Sequence, residues 1–463
     1  MKRKGPLYAC VIFLAVLVIA APLELSAQSK KVRDQARKLA EQAQKASQQK
    51  DFRQAAELYA QAISLLPNNP DLHYRKGFAH IELKENDKAI NDFTLALNKG
   101  FKPPIEIYRI RSYVFYEVKN YDAALEDLRK GMAIAPNDLP FLKMMGEINM
   151  DRKAFPAALE AFQKASKMAP DDADVHYNMA RVYFALGDAK AQGTEADLAL
   201  SKGTRFPGEA HYLAGDARQK QGNLVGAIDA YQKAINSKPD IYQAYINLAE
   251  VYRNENRFND AISISKQGLR NFPNDGAIYT SLSEFYSLAD RPEDAVQAAK
   301  AGITLLPNRY LAYTNLCRAE NTLKNYGDAI AACNSALNLQ PDDGETNYYL
   351  GNAYVGLGRS VEATNRYTRA VNGLTAYTEK YPNLSDGWYL LGNALFADKQ
   401  YDRSIEAYLK CLSLSPKFLR ARVNLGIVYT RKKNKAAAVE QYNLVLPADA
   451  ALAARLKAEI DKM

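Results

Sequence analysis

The stretch Ser385–Pro416 constrains the fold more than any other part of the chain. Trp388 and Leu395 lie on one face of a first helix, and a second helix with its own apolar face begins near Tyr401. Pro416 ends the second helix, because proline has no N–H to donate and clashes with the preceding turn. Two helices joined by a short polar turn form a hairpin whose apolar side needs a neighbour to cover it.

The same pattern recurs in near-constant register along the chain, and we count about twelve copies. With Ser385 as position 1, most copies carry a small residue at position 8, alanine at positions 20 and 27 and proline at position 32. The copy over 188–207 is irregular, and about seven extra residues at 371–384 lengthen a second helix by close to two turns. The predicted divisions are an N-terminal capping helix and first repeat over 28–69, a continuous array over 70–448 and a C-terminal capping helix over 449–463.

This spacing resembles the tetratricopeptide repeat, whose pattern is W-x2-L-G-x2-Y, then A-x3-F, then P, in 34 residues. The matching places are held by Trp388, Leu391, Gly392, Tyr408 and Pro416. The resemblance implies an all-α fold, a right-handed superhelical solenoid of about twelve helix-turn-helix repeats. In such an array each hairpin contacts only its neighbours, so several copies are needed for stability.

The first 27 residues have the layout of a secretory signal peptide. Lys2, Arg3 and Lys4 form a positive start, an apolar run extends over 7–21, and Ala27 supplies a small residue before the expected cleavage point. We therefore expect an exported protein of a bacterial periplasm or cell envelope. The alternative is that the segment stays uncleaved as an N-terminal membrane anchor.

The sequence contains no cluster of residues typical of an enzyme. HExxH, paired CxxC, phosphate-binding glycine loops and nucleophile elbows are all missing. Three of the four histidines, His73, His176 and His211, stand at position 4, where other copies have Tyr or Trp, so we interpret them as core residues. We expect no catalysis, no cofactor and no metal site. The 61 basic and 52 acidic residues are interspersed, so the net charge of +9 does not indicate nucleic-acid binding.

Cys317 and Cys333 stand at positions 8 and 24 of one copy. A hairpin that turns near position 16 places these two positions opposite each other, so an oxidising compartment would permit a disulfide. The alternative is that both cysteines are small buried residues at alanine-like sites. Cys411 has no partner in this scheme.

In the tetratricopeptide family, positions 2, 5, 9 and 12 of the first helix face a concave groove. Carried over to this chain, these positions suggest a peptide-binding surface of tyrosine, phenylalanine and asparagine: Tyr74, Tyr116, Tyr177, Phe184, Tyr212, Tyr348, Asn352, Tyr389, Asn393 and Phe396. Tyrosine combines apolar area with a polar tip, and asparagine both donates to and accepts from a peptide backbone. The alternative is that these residues belong to the generic repeat consensus and serve the helices themselves.

Two charged features of the sequence are relevant to binding. Some family members bind carboxylate tails through Lys and Asn at positions 5 and 9, but here Lys143 is followed by Glu147, which would repel a carboxylate. Near the end, a basic face without acidic residues would suit an acidic partner or an anionic surface; its members are Lys417, Arg420, Arg422, Arg431, Lys432, Lys433 and Lys435.

The resemblance and the missing catalytic motifs favour a non-enzymatic scaffold. We expect it to bind an extended peptide or partner segment in the groove, for envelope assembly or secretion. The alternative is a cell-wall or glycan-associated protein whose tyrosines stack on sugars, with peripheral contact to membrane or wall. The sequence leaves the oligomeric state open.

Overall fold

The computed structural model describes residues 30–463, so the predicted signal peptide lies outside the described residues. Within this range the chain forms 25 helices and no strand. In chain order they are α1 Lys30–Gln48, α2 Phe52–Leu65, α3 Pro70–Glu82, α4 Asn86–Asn98, α5 Pro104–Glu117, α6 Tyr121–Ile134, α7 Leu139–Asp151, α8 Phe155–Met168, α9 Ala173–Leu186, α10 Ala189–Ser201, α11 Pro207–Lys220, α12 Leu224–Ser237, α13 Tyr242–Asn254, α14 Phe258–Asn271, α15 Gly276–Leu288, α16 Pro292–Leu305, α17 Tyr310–Thr322, α18 Tyr326–Leu339, α19 Gly344–Gly356, α20 Ser360–Lys380, α21 Ser385–Ala397, α22 Tyr401–Leu414, α23 Leu419–Arg431, α24 Lys435–Val445 and α25 Ala450–Ile460.

Consecutive helices pair into hairpins, five from α1–α2 to α9–α10 and six from α13–α14 to α23–α24, and α25 packs on the last of them. The all-α hairpin array predicted from the sequence is therefore confirmed. The chain divides into two compact units, one up to Ala217 and one from Arg218 onward, with the boundary inside α11. We describe each unit separately, as unit 1 and unit 2.

A left-handed residue at position 15 ends the first helix of each hairpin. In the hairpin of α21 and α22 this residue is Lys399, with φ of 62°. The next amide, of Gln400, donates to the carbonyl of Leu395 at 2.8 Å, which is the bond that closes a Schellman motif. Glycine holds the same place in three hairpins, for example Gly222 with φ of 78°. The recurring turn thus fixes the point at which the chain reverses.

The two helices of a hairpin cross where position 8 meets position 24. Gly146 on α7 faces the ring of Phe162 on α8, and a Cβ added to the glycine would lie 2.4 Å from that ring. Gly392 and Tyr408 make the same crossing between α21 and α22, with the corresponding distance at 2.6 Å. A glycine beneath an aromatic ring lets the helices approach closely, which explains the most regular part of the sequence pattern.

Cys317 and Cys333 occupy this same crossing in the hairpin of α17 and α18. They are joined by a disulfide bond with an S–S distance of 2.11 Å and a Cα–Cα distance of 5.3 Å. Both residues are fully buried. The disulfide therefore stands in the place of the glycine–aromatic contact, while Cys411 is a buried free cysteine.

Histidines at position 4 bond to the turn that precedes their own helix. His176 Nε2 lies 2.9 Å from the carbonyl oxygen of Pro170, and His73 Nε2 lies 3.3 Å from that of Pro67. Trp388 donates from Nε1 to the carbonyl of Pro382 in the same way, six residues back. These contacts give the two histidines a structural role at the joint between hairpins.

Two hairpins depart from the regular pattern. In α10 the aromatic residue is missing, but the helix is intact and Gln192 is fully buried, with Nε2 donating to the carbonyl of Leu213 at 2.7 Å. The second helix α20 contains 21 residues, whereas α22 contains 14. Its added turns carry Tyr377 and Tyr381, whose rings lie 5.0 Å apart.

Candidate functional site

First-helix side chains of unit 2 meet across an inner groove. Arg253 on α13 donates to Asp386 on α21 at 2.8 Å, although the two residues are 133 positions apart in the sequence. Arg420 on α23 donates to the carbonyl of Leu288 at the end of α15 and lies over the ring of Phe258, with its guanidinium carbon 5.2 Å from the ring centroid. Hairpins far apart in the chain therefore face each other. We define the inner groove of unit 2 by Glu250, Arg253, Glu284, Arg318, Glu345, Tyr348, Tyr349, Asp386, Tyr389 and Arg420.

Arg253 is the best-paired cation of the groove. Besides Asp386, it contacts Glu250 at 2.9 Å and Glu284 at 3.8 Å. Burial lowers the pKa of the Arg253 guanidinium, but the three carboxylates outweigh this effect and raise it above its ordinary value. One guanidinium thus joins α13, α15 and α21 along the groove wall.

Arg318 and Glu345 lie in the same groove without forming an ion pair in the described part of the chain. Burial raises the pKa of the Glu345 carboxyl from 4.5 to about 7; Asp343 adds to the rise and Arg318 opposes it. Burial also raises the pKa of Glu284, although Arg253 and Arg318 oppose this. The carboxylates are therefore poorly solvated and only partly compensated by positive charge.

Tyrosine rings complete the wall beside Glu345. Tyr348 and Tyr349 on α19 have ring centroids 5.3 Å apart, and Tyr389 on α21 lies 4.8 Å from the ring of Phe418. Tyr348, Tyr349 and Tyr389 all keep part of their surface accessible to solvent. The groove thus offers charged groups and aromatic faces together, as a wet recognition surface does.

Glu345 should make the stability of unit 2 depend on pH. Its folded-state pKa of about 7 lies above the ordinary 4.5, so the folded protein binds this proton more tightly over that interval. The free energy of unfolding should therefore fall as pH rises from 4.5 to about 7. Glu345→Gln should remove this part of the fall, measured by denaturant unfolding on either side of the interval. The matched control Glu362→Gln alters an exposed carboxylate on α20 and should keep the fall; an unchanged slope in Glu345→Gln would contradict the assignment.

Sequence profiles of one repeat family match the chain in four separate segments. Profiles described as tetratricopeptide repeat match residues 46–91, 219–285 and 385–418, and one described as TPR repeat matches residues 146–187. These segments fall in both units and coincide with the hairpins described above. The chain belongs to the tetratricopeptide repeat family. Arrays of tetratricopeptide repeats are typical of proteins that bind other proteins on an extended concave surface.

Several known proteins are similar to parts of the chain. The Hsp70-Hsp90 organising protein of Plasmodium falciparum is 26% identical over 159 residues, which is 33% of this chain and 27% of that protein. A UDP-N-acetylglucosamine–peptide N-acetylglucosaminyltransferase of Giardia intestinalis is 32% identical over 65 residues, 14% of this chain and 4% of that protein. The chain thus spans about a quarter or less of these curated relatives. A crystal structure of a tetratricopeptide repeat protein from Parabacteroides merdae matches with a TM-score of 0.45 and 15% identity, covering 55% of this chain and 98% of that one.

Several groove residues predicted in unit 2 bond within the repeat array itself. Asn352 accepts from the hydroxyl of Tyr367 at 2.8 Å, and Asn393 accepts from the hydroxyl of Tyr408 at 2.6 Å. Asn393 is also only 8% exposed, so it is not available to a partner as it stands. Phe396 packs near Tyr401, with ring centroids 5.8 Å apart. Position-9 asparagines here orient the aromatic residue of their own hairpin.

The predicted residues of unit 1 are also used in part by the fold. Tyr74 stacks on Phe101 at 4.3 Å, and Tyr116 donates to Asp151 at 2.8 Å. Tyr177 is only 4% exposed, so little of its surface is accessible to a partner in this structure. Phe184 is the most exposed of the predicted groove residues in unit 1, at 38%, and the centroid of its ring lies 6.4 Å from that of Tyr212.

Sequence reasoning missed the charged residues of the groove. Glu284 and Arg318 stand at position 9 and Arg253 stands at position 12, which are the same positions that were searched for aromatic and amide side chains. The position in the repeat therefore identifies these residues, but a helix pattern alone predicts charged residues to be solvated. What distinguishes these three is their place inside unit 2, which a helix pattern alone does not reveal.

The basic face near the C-terminus is less positive than the sequence suggests. Arg420 turns into the groove, Arg422 donates to the carbonyl of Pro416 at 3.0 Å, and Arg431 pairs with Glu459 at 3.3 Å. Lys432 bonds to Asp402. Similarly, Lys143 pairs with Asp172 at 2.7 Å, in agreement with the absence of a carboxylate-binding clamp there.

The buried His80 contacts a carboxylate. His80 Nδ1 lies 2.7 Å from Asp92, which also contacts Lys76 at 3.2 Å. Across residues 30–463, the structure contains no group of His, Cys, Asp and Glu side chains that could hold a metal ion. Over the same residues, no helix is long and apolar enough to cross a bilayer.

Proposed function

We propose that this tetratricopeptide repeat protein is an exported, non-enzymatic scaffold that binds an extended segment of a partner protein. The inner groove of unit 2 is the proposed binding site. The observation that carries the proposal is the hydrogen bond between Arg253 and Asp386, which connects two walls of the groove. Tyrosine and charged side chains line the groove beside this contact. Such a lining suits a polypeptide backbone with its side chains better than a compact small molecule.

Two independent features support export. The first is the layout of residues 1–27, with a basic start, an apolar run and a small residue at the expected cleavage point. The second is the Cys317–Cys333 disulfide, because disulfides form and persist mainly in oxidising compartments. Together they favour a scaffold of the bacterial envelope that serves assembly or secretion.

A cross-linking pull-down from native envelope extract tests the groove. Arg318 and Tyr348 are replaced by alanine in one mature chain, which should lose one dominant protein that the unmodified chain captures. A matched control replaces Arg359 and Tyr354, an arginine–tyrosine pair of the neighbouring turn whose guanidinium lies 4.6 Å from the ring centroid, outside the groove. The control should keep the captured protein.

The same experiment separates the alternatives. Identical captures from both variant chains would exclude the inner groove of unit 2 as the binding site. Retention on wall polysaccharide, lost only with the groove variant, would favour a glycan-associated protein instead. The fractionation also tests export, because the mature chain should begin at Gln28 and be found in the envelope fraction.

A further inference from the structure

Carboxyl groups outnumber guanidinium groups in the inner groove of unit 2. The groove holds four carboxyl groups, Glu250, Glu284, Glu345 and Asp386, and three guanidinium groups. Because the pKa of Glu345 is about 7, this group carries its full negative charge near neutral pH only when a cation stabilises it. The full chain has the opposite balance of charged groups, with a net charge of +9. The groove therefore favours a partner of positive charge at this place.

Two of the three guanidinium groups of the groove already have close partners. Arg253 is shared by three carboxylates, and Arg420 is held by the carbonyl of Leu288 and the ring of Phe258. Glu345 has no ion-pair partner among the described residues. A half-buried carboxylate is costly unless it is paired, and Arg318 offsets this cost only in part, so Glu345 gains from a cation supplied by a partner.

Aromatic rings next to Glu345 are suited to the same cation. Tyr349 follows Glu345 by four residues on α19 and so lies on the same helix face, and the ring of Tyr348 is 5.3 Å from that of Tyr349. Tyrosine faces attract ammonium and guanidinium groups, most strongly where water is excluded. A carboxylate beside aromatic rings is therefore a receptor for the end of a lysine or arginine side chain.

The occupant must also fit the length of the groove. Its lining residues come from six successive first helices, α13 to α23, and an extended chain places a side chain of the same face about every 7 Å. A free small cation would use only the Glu345 corner and leave the remaining lining unoccupied. An extended polypeptide segment can place one basic side chain at Glu345 and run along the other helices.

We propose, building on the function proposed above, that the inner groove of unit 2 selects an extended segment carrying a lysine or arginine side chain that binds between Glu345 and the rings of Tyr348 and Tyr349. Glu284 contributes a second carboxylate near the same point. The groove thereby recognises the charge of its partner as well as its extended backbone.

Three labelled peptides of equal length test this proposal by fluorescence anisotropy with the mature chain. One alternates serine with lysine, one serine with glutamine and one serine with glutamate. The lysine peptide should bind about tenfold more tightly than the glutamine peptide, because one ion pair with aromatic support is of this order. Non-specific attraction to the mature chain, which remains net positive without residues 1–27, would favour the glutamate peptide instead, so the expected order cannot arise from overall charge.

Variants of the same chain locate the contact. Glu345→Gln should abolish the preference for lysine over glutamine, and Glu345→Lys should reverse it. Glu362→Gln, which changes an exposed carboxylate of α20, should leave the preference intact. Circular dichroism of each variant confirms that the array is folded.

Three results would overturn the inference: no binding of the lysine peptide, an equal preference in Glu345→Gln, or tighter binding of the glutamate peptide. Tighter binding of the glutamate peptide would indicate that Arg318, and not Glu345, recognises the charge of the peptide. If the pull-down still depends on Arg318 and Tyr348, the proposed function stands and only the basic character of the partner is wrong.

Discussion

Replacing Phe162 by alanine is expected to lower the free energy of unfolding of unit 1 by about 3–5 kcal/mol. The ring is fully buried between α7 and α8 and belongs to a core cluster with Leu142, Val175 and Met179, so it joins its own hairpin to the next one. Because the ring lies directly over Gly146, the facing position has no side chain that could fill the space it leaves. Denaturant unfolding, with hydrogen exchange of the α7–α9 amides, measures the loss.

Gly146→Ala provides the decisive control for this packing. In the unmodified protein the added Cβ would lie 2.4 Å from the Phe162 ring, so Gly146→Ala should itself be destabilising, by about 1–3 kcal/mol. With Phe162→Ala, the same methyl group enters the vacated space and should be tolerated. The double variant should therefore be more stable than the sum of the two single changes predicts. Strict additivity would show that the glycine and the ring are not packed against each other.

Much of this architecture could be predicted from the sequence because each hairpin encodes its own geometry. Gly392 and Tyr408 are 16 residues apart, and the helical period together with one turn is enough to bring them together. The same local rule places Trp388 beside its preceding turn and allows α20 to gain two turns without rotating its buried face. Short-range periodicity therefore determines the hairpin and its packing on the next hairpin.

The residues that line the groove could not be predicted from the pattern within single hairpins. The contact between Arg253 and Asp386 spans 133 residues, so it depends on small rotations accumulated over four hairpins. Family positions predict an inner face, but they do not show that Asn393 accepts a hydrogen bond from Tyr408 or that Tyr177 is buried. Which inner residues remain available to a partner is decided by packing between first helices, and this had to be seen in the structure.

Removal of the Cys317–Cys333 disulfide should cost unit 2 about 3 kcal/mol, the size expected when a closed loop of this length is opened. The cysteines are 16 residues apart and fully buried at the crossing of α17 and α18. Alanine at both positions should therefore lower the denaturation midpoint of unit 2. Reductant should lower the midpoint of the unmodified chain by a similar amount and leave that of the variant unchanged.

Other hairpins of the chain suggest how the lost stability can be regained without a disulfide. At the same two positions the next hairpins have Gly351 with Tyr367 and Gly392 with Tyr408, and in each case the ring lies against the glycine. Cys317→Gly combined with Cys333→Tyr should thus recover part of the stability lost in the alanine variant, because the ring fills the crossing. This variant should also be insensitive to reductant. If it is no more stable than the alanine variant, the crossing at α17 and α18 has a shape set by the disulfide, and the two kinds of contact are not interchangeable.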